Sequence, residues 1–166
     1  MFEIGDNIVC GSNGVCTVED IGPLRLSSAT KGRMYYTLKP VYDSAGTVFV
    51  PVDNDKIVLR FVLSKDEVMD LIRSIPTIDK LWITDEKKRE QEYKDAISSC
   101  DCRKLIQIIK TLHSRMQKRL ESGKKVTAVD DRYFRMAQEH LYEEFALALN
   151  ISRDECEDYI RDFIEK

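Results

Sequence analysis

The sequence has no long apolar run, only two histidines, and no regular cysteine pattern. No apolar stretch approaches the roughly 18 to 20 residues that a membrane span needs. The opening residues Met1–Asp6 lack the basic start and the apolar stretch of a signal peptide, so we expect a cytoplasmic protein without a membrane partner. Five cysteines, an odd count with irregular spacing, favour reduced thiols over a disulfide framework.

Residue groups with catalytic or metal-binding spacing are also missing. No Ser-His-Asp pattern, glycine-rich phosphate loop or catalytic carboxylate pair stands out, because the many carboxylates lie at predicted helix starts and on solvated faces, and His113 and His140 are isolated. The sequence therefore predicts no enzyme, no small-molecule substrate and no cofactor. Cys100 and Cys102 form a Cys-x-Cys pair, but a zinc site needs about four ligands, so we predict no metal site. A redox role for these two thiols is a weaker alternative.

The whole chain has 166 residues, 43% apolar and 33% charged, which is typical of a globular chain with one ordinary domain or two small ones.

The first 62 residues have the composition of short strands. Five short β-rich runs separated by turn residues predict a small SH3-like or Tudor-like β barrel. The predicted strands are Asn7–Cys10, Gly14–Glu19, Met34–Leu38, Thr47–Val50 and Ile57–Phe61, with turns at Asn13-Gly14, Gly22-Pro23, Lys31-Gly32 and Ala45-Gly46.

From Ser64 onward the apolar residues recur at helical spacing. Ser64 and Glu67 form a capping-box pattern, and Pro76 ends the helix that they begin. We predict about five helices, hence an α+β protein with a β domain at residues 1–62 and an all-helical domain at residues 63–166. The second helix is predicted from about Asp85 to Ile97. The third begins after Asp101, has a core stripe from Leu105 to Leu120 and ends at Gly123. The fourth begins after Thr127, and the fifth begins after Ser152, where Glu155 completes a second capping box.

Charge is strongly segregated along the chain, although the net charge is only −3 and the pI is about 5.5. Residues 87–135 contain fourteen basic and seven acidic residues, a net charge of +7. Residues 136–166 contain three basic and nine acidic residues, a net charge of −6. The basic segment is either a solvated helix surface or a surface that contacts phosphates weakly and without base readout.

An ordered set of segments carries a family resemblance that runs nearly from end to end. Together these segments resemble the CarD-like transcription regulators, in which an RNA-polymerase-interacting Tudor-like domain precedes a helical domain that contacts DNA. The matching segments are Phe2–Val9, Asn13–Val15, Thr47–Val52, Tyr93-Lys94, Asp101–Leu105, and a late-helix pattern of Thr127, Arg132, Ala137, Leu141 and Glu144–Ala148.

The resemblance implies a bacterial transcription regulator with two contacts. The barrel would add an edge strand, made of Thr47, Val48, Phe49 and Val50, to the β subunit of RNA polymerase. The helical domain would contact promoter DNA weakly, without sequence preference, at the upstream edge of the bubble and so modulate open-complex stability. The residues that we expect to contact DNA are Trp82, Lys87, Lys88, Arg89, Lys94, Lys124, Lys125 and Arg132.

The single tryptophan departs from the family pattern. The family places a wedge tryptophan about four residues before the tyrosine, where this sequence has Arg89. Trp82 lies eleven residues before Tyr93, so it is either a displaced wedge or a core residue between the first and second helices. Apolar Leu81 and Ile83 beside it favour a structural role, with DNA contact carried mainly by lysine and arginine.

One alternative to DNA binding comes from the same features. The acidic pI, the acidic last helix and the missing wedge position would suit an adaptor that binds the polymerase or another protein without productive DNA contact. Basic residues gathered on one face would favour a DNA surface, whereas basic residues scattered among acidic neighbours would favour the adaptor.

Overall fold

A computed structural model describes residues 1–26, 31–43 and 46–165 of the chain. It confirms the α+β class, with a five-stranded antiparallel sheet followed by five α-helices. Contacts divide the chain into two compact units, Met1–Val62 and Leu63–Lys166. Within the described ranges no helix combines the length and the apolar composition that a membrane crossing requires. The strands are β1 (Asn7–Cys10), β2 (Val15–Pro23), β3 (Met34–Pro40), β4 (Val48–Pro51) and β5 (Leu59–Phe61), and the helices are α1 (Lys65–Ser74), α2 (Arg89–Ser98), α3 (Cys102–Glu121), α4 (Ala128–Leu149) and α5 (Cys156–Glu165).

The strands of the first unit are hydrogen-bonded in the order β4-β3-β2-β1-β5, with every neighbouring pair antiparallel. A register shift between Val18 and Asp20 bends β2, as β-bulges do. Alternate residues of the strands face one buried cluster, as the two-residue period of a strand requires. That cluster consists of Ile8, Cys10, Cys16, Val18, Tyr36, Leu38 and Val50.

The turn between β1 and β2 differs from the expected Asn13-Gly14 hairpin. It is a four-residue connection with a 3₁₀ turn at Gly11–Asn13, and the positive φ angles lie at Gly11 (47°) and Gly14 (75°). The amide of Cys10 donates to the carbonyl of Gly14 at 2.9 Å and closes this longer loop. A Cβ at position 11 would lie 2.8 Å from Cγ2 of Ile57, so glycine is also needed there for space.

Two further turn predictions have different outcomes. Gly22 and Pro23 do not interrupt the sheet but form the end of β2, where Pro23 pairs with Met34. Proline is tolerated there because a strand end needs no further ladder bond. Gly32 has a φ of 80° in the turn before β3, as expected of a turn glycine. The turn predicted at Ala45-Gly46 falls partly outside the described residues, since Ala45 is not among them.

Local sequence signals set most of the helix boundaries in the second unit. The capping box is confirmed: Ser64 Oγ accepts a hydrogen bond from the amide of Glu67, and Glu67 Oε2 accepts one from the amide of Ser64, both at 3.1 Å. After α1 the chain makes a 3₁₀ turn, Ile75–Thr77, that contains Pro76. Asp101 and Thr127 cap α3 and α4 through side-chain oxygens, as predicted.

Three helix predictions need correction. The second helix begins at Arg89, because Asp85 caps a separate 3₁₀ turn, Glu86–Lys88, that precedes it. Ser152 makes no cap to a backbone amide; its hydroxyl instead donates to the carboxylate of Glu155 at 2.9 Å, and a 3₁₀ turn precedes α5. Leu120, expected at the end of the core stripe of α3, is 55% exposed because the last turn of α3 extends beyond the packed core.

The core of the second unit contains large side chains from four helices. Tyr93 of α2 and Phe145 of α4 are fully buried, and so are Ile72 of α1 and Ile108 of α3. The ring of Tyr93 packs against that of Tyr133 with a centroid distance of 5.7 Å. This core supports the surface on which most of the predicted DNA contacts lie.

Candidate functional site

Strand β4 is an edge of the sheet in the first unit. It pairs with β3 on one side, and no described strand pairs with its other side. Phe49 is 41% exposed, whereas Val50 is fully buried in the core and Val48 packs partly against it. Thr47 is exposed and lies one residue before the strand begins. The segment predicted to bind polymerase is therefore held in place by Val50 and presents Phe49.

The hydrogen-bonding groups of β4 alternate between its two sides. The amide of Val52 donates to the carbonyl of Met34 at 2.9 Å, towards β3. Because antiparallel strands alternate, the amide and carbonyl of Phe49 face away from β3. Pro51 is two residues after Phe49, so its backbone nitrogen also faces away from β3. Its missing N–H therefore removes no hydrogen bond to β3. The free edge thus offers the backbone groups of Phe49 to a further strand.

Trp82 is exposed, which is contrary to the structural role in the core that its apolar neighbours favour. Its side chain is 88% exposed, in the irregular segment between the 3₁₀ turns Ile75–Thr77 and Glu86–Lys88. Exposure alternates along this segment, with Leu81 and Ile83 partly buried on either side of Trp82. The partial burial of the two apolar neighbours therefore does not extend to the indole between them.

Two hydrogen bonds fix the segment that carries Trp82 to α3. The amide of Leu81 donates to Oγ1 of Thr111 at 2.8 Å, and Nζ of Lys80 donates to Oγ of Ser114 at 2.9 Å. Thr111 and Ser114 lie three residues apart and so share one face of α3. The exposed indole is consequently attached to a rigid helix, although its own segment has no regular structure.

A groove of about 440 Å³ lies beside Trp82 in the second unit. Six of the side chains that line it are basic, and none of its described lining residues is acidic. The apolar part of the wall comes from Leu81, Trp82 and Ile83. The basic lining residues are Lys80, Arg89, Arg115, Lys118, Arg119 and Lys124.

Carboxylates behind the groove neutralise two of the six basic residues. Arg89 Nε lies 3.0 Å from Glu86 Oε2, and the guanidinium also donates to the hydroxyl of the buried Tyr93. Arg115 lies 2.9 Å from the buried carboxylate of Asp130 and 3.2 Å from Glu86. Hydrogen bonding from Arg89 lowers the pKa of Glu86, with a further contribution from the charge of Arg115. These two arginines therefore support the wall of the groove more than they add charge to it.

The other basic residues of the groove carry most of its uncompensated charge. Lys118 and Lys124 are exposed and have no carboxylate within 4.0 Å in the described part of the chain. Arg119 donates through Nε to the carbonyl of Lys125, which leaves its terminal nitrogens available. Gly123 has a left-handed backbone and ends α3. The amide of Lys124 then donates to the carbonyl of Arg119 at 2.8 Å, so Lys124 stays next to the last turn of the helix.

The eight predicted DNA contacts fall into three groups. Trp82, Arg89 and Lys124 line the groove. Lys94 and Arg132 both contact Glu90, at 3.8 Å and 3.0 Å, so their charges are partly compensated. The remaining lysines lie outside the lining, are exposed, and form no ion pair among the described residues; they are Lys87, Lys88 and Lys125. As DNA contacts, all eight stay predictions.

Sequence reasoning did not select four of the groove residues, Lys80, Arg115, Lys118 and Arg119. Three of them carry a signal in the sequence, because Arg115, Lys118 and Arg119 have the i, i+3, i+4 spacing of one helix face. Lys80 has no such signal, since its place in the groove depends on the hydrogen bond to Ser114.

All five cysteines are buried, and none of them forms a disulfide. Cys102 Sγ donates to the buried carboxylate of Glu144 at 3.1 Å, and Cys100 has a left-handed backbone with a φ of 57°. Burial raises the pKa of the Cys156 thiol to about 11. Reactive cysteines are accessible and have a low pKa, so none of these observations points to redox chemistry.

Comparison with family models identifies the chain. The model described as "CarD-like/TRCF RID domain" matches residues 2–63, and the model described as "CarD, C-terminal domain" matches residues 67–161. Comparison with curated proteins gives no match. The two domains in this order define an RNA-polymerase-interacting transcription regulator. The chain belongs to the CarD family, as its sequence segments predict.

Proposed function

We propose that this regulator binds the β subunit of RNA polymerase through β4 and contacts promoter DNA through its helical unit at the upstream edge of the bubble. Binding there changes the stability of the open complex. The observation that carries this proposal is the exposed Trp82 beside a groove with uncompensated basic charge. An indole in this position can support unstacked base steps, and the basic residues hold the DNA by its phosphates.

The contact with polymerase would form by addition of a strand. The outward-facing amide and carbonyl of Phe49 provide hydrogen bonds to a partner strand, and the exposed part of its ring provides side-chain contact. Because backbone bonds carry little sequence information, the Phe49 side chain would decide which strand is accepted.

Replacing Phe49 tests the polymerase contact. We expect Phe49→Asp to weaken binding to polymerase at least tenfold, because it places a charge at the new strand pair, while the fold survives the change of a side chain that faces outward. Phe61→Asp is the matched control, since Phe61 is 57% exposed on β5 at the other edge of the sheet. Polymerase pull-down and circular dichroism measure binding and folding. Equal binding by both variants and the parent chain would remove β4 from the interface.

The salt dependence of DNA binding tests the basic contacts. Replacing Lys87, Lys88 and Arg89 together with alanine should flatten the dependence of log K on log salt concentration, by about 0.9 for each lost phosphate contact with duplex DNA. We expect a loss nearer two contacts than three, because Arg89 is already paired with Glu86. Fluorescence anisotropy with a forked promoter fragment over a salt series gives the slope. An unchanged slope would exclude these residues as phosphate contacts.

The adaptor without DNA contact is the second candidate function. It is favoured by Glu90, which compensates both Lys94 and Arg132 on the surface expected to face DNA. The two functions differ in one experiment with the full chain, polymerase and a promoter. A regulator with DNA contact loses its effect on open-complex lifetime in Trp82→Ala while still binding polymerase. An adaptor keeps both properties in that variant.

A further inference from the structure

The groove beside Trp82 is open to solvent and large enough to receive one nucleotide. Its volume of about 440 Å³ lies within the range of roughly 300 to 1,000 Å³ that encloses small ligands in proteins. A duplex is a continuous rod whose bases are stacked inside, so it would touch only the rim of such a groove. A single unpaired nucleotide can enter it.

The lining of the groove combines two kinds of chemistry. Leu81, Trp82 and Ile83 are its apolar lining residues, and its basic lining residues include Lys118, near the end of α3, and Lys124, three residues after that helix. Proteins that bind single strands combine these same two elements, a stacking aromatic ring for the base and basic residues that follow the phosphates. Every base has a π face, so such a site tolerates different sequences.

The site is also preorganised. Hydrogen bonds to Thr111 and Ser114 fix the Trp82 segment on α3, and the amide of Lys124 is bonded to the carbonyl of Arg119 at the end of the same helix. The Trp82 segment and Lys124 are therefore both attached to α3, and a preformed site reduces the entropy lost when a ligand binds.

We propose that the groove binds one unpaired nucleotide of a single DNA strand, with its base stacked on Trp82 and its flanking phosphates contacted by Lys118 and Lys124. This inference rests on the proposed DNA contact. It identifies the DNA bound in the groove as an unpaired strand at the edge of the bubble rather than the duplex. Arg119 adds a third contact through its free terminal nitrogens.

The fluorescence of Trp82 provides a direct test, because the chain contains one tryptophan. The full chain is titrated with an eight-residue thymidine strand, an abasic strand of the same length, a duplex of the same length and thymidine monophosphate. We expect saturable quenching by the thymidine strand, with binding about tenfold weaker for the abasic strand and for the duplex, because neither offers a free base to the indole. Equal binding of the abasic strand, or tighter binding of the duplex, would overturn the proposal. Monophosphate binding as tight as that of the strand would show a free-nucleotide site and overturn it equally.

Two double variants test the phosphate contacts. Lys118→Ala with Lys124→Ala should weaken single-strand binding and reduce the salt slope by about 1.4, since each contact with a single strand contributes about 0.7. Arg103→Ala with Lys104→Ala removes the same charge from the exposed start of α3, outside the lining, and should leave the slope nearly unchanged. Equal losses in the two variants would show a general charge effect and refute the site.

The outcome separates this inference from the proposed function. If Trp82→Ala shortens open-complex lifetime but the parent chain does not prefer the thymidine strand, DNA contact stands and the single-nucleotide site falls. If the strand preference holds but open-complex lifetime is unchanged in Trp82→Ala, the site stands and the proposed role at the promoter falls.

Discussion

Two aromatic residues in neighbouring segments have opposite environments. Trp82 is 88% exposed on an irregular segment, whereas Tyr93 is fully buried in α2 and its hydroxyl accepts a hydrogen bond from Arg89 at 2.9 Å. The residue that matches the family pattern thus builds the core, and the displaced tryptophan is available for binding. At the residue scale, exposure separates a stabilising role from a binding role.

Stability measurements check this division. Trp82→Ala should change the free energy of unfolding by less than about 0.5 kcal/mol, as is usual for exposed positions. Tyr93→Ala should cost about 3 to 5 kcal/mol, because it leaves a cavity in the core and takes a partner from Arg89. Urea denaturation followed by circular dichroism compares the two without relying on tryptophan fluorescence. A loss above about 1 kcal/mol in Trp82→Ala would show that the indole supports the fold.

At the scale of the elements, the same sequence pattern has two structural outcomes. Ser64 and Glu67 satisfy each other's backbone amides at the start of α1. Ser152 and Glu155 have the same spacing, but their side chains bond to each other and no cap forms at the turn before α5. A capping box contributes stability because it satisfies amides that the helix leaves unbonded, which the second pair does not do.

Serine-to-alanine variants at these two positions should therefore differ. Ser64→Ala should destabilise the helical unit by about 1 kcal/mol, a typical cost for a lost cap. Ser152→Ala loses only an exposed bond between side chains and should stay within about 0.5 kcal/mol of the parent chain. Chemical denaturation followed at a helix-sensitive wavelength gives both values. Equal effects would mean that Ser152 caps α5 in solution.

At the scale of the whole molecule, each unit has its own core and its own surface of interest. The boundary falls between Val62 and Leu63, and the amide of Leu63 donates to the buried carboxylate of Glu144 at 2.9 Å within the second unit. That bond ties the beginning of the second unit to α4. Residues 63–66 are thus part of the helical structure, although the family match to the second domain begins only at residue 67.

Two fragments test this boundary. Residues 63–166 retain Leu63 and the capping box, so we expect a cooperative thermal transition. Residues 67–166 lose the hydrogen bond from Leu63 to Glu144 and the Ser64 cap, and should melt several degrees lower, since a loss of about 1 kcal/mol shifts the midpoint of a 60–100-residue domain by roughly 4 to 8 °C. Thermal unfolding followed by circular dichroism compares them. Identical midpoints would show that residues 63–66 do not stabilise the helical unit and that its structural boundary lies at residue 67.

Features that depend on local chemistry could be predicted from the amino-acid sequence. The short β-rich runs before residue 63 and the helical spacing after Ser64 predicted the α+β class, and Ser64, Asp101 and Thr127 predicted helix starts, because composition, caps and periods involve residues close in the chain. The family was also evident from ordered segments.

The tertiary structure alone decided which side chains share a surface. Trp82 is exposed although both of its neighbours are partly buried, and its segment is fixed through the amide of Leu81 to Thr111, 30 positions later in the sequence. Lys80 joins the groove through Ser114, and Glu90 pairs with Arg132, across 34 and 42 positions of sequence. Composition fixes how many charges a segment carries, but only packing between distant residues decides which are neutralised and which remain available to a ligand.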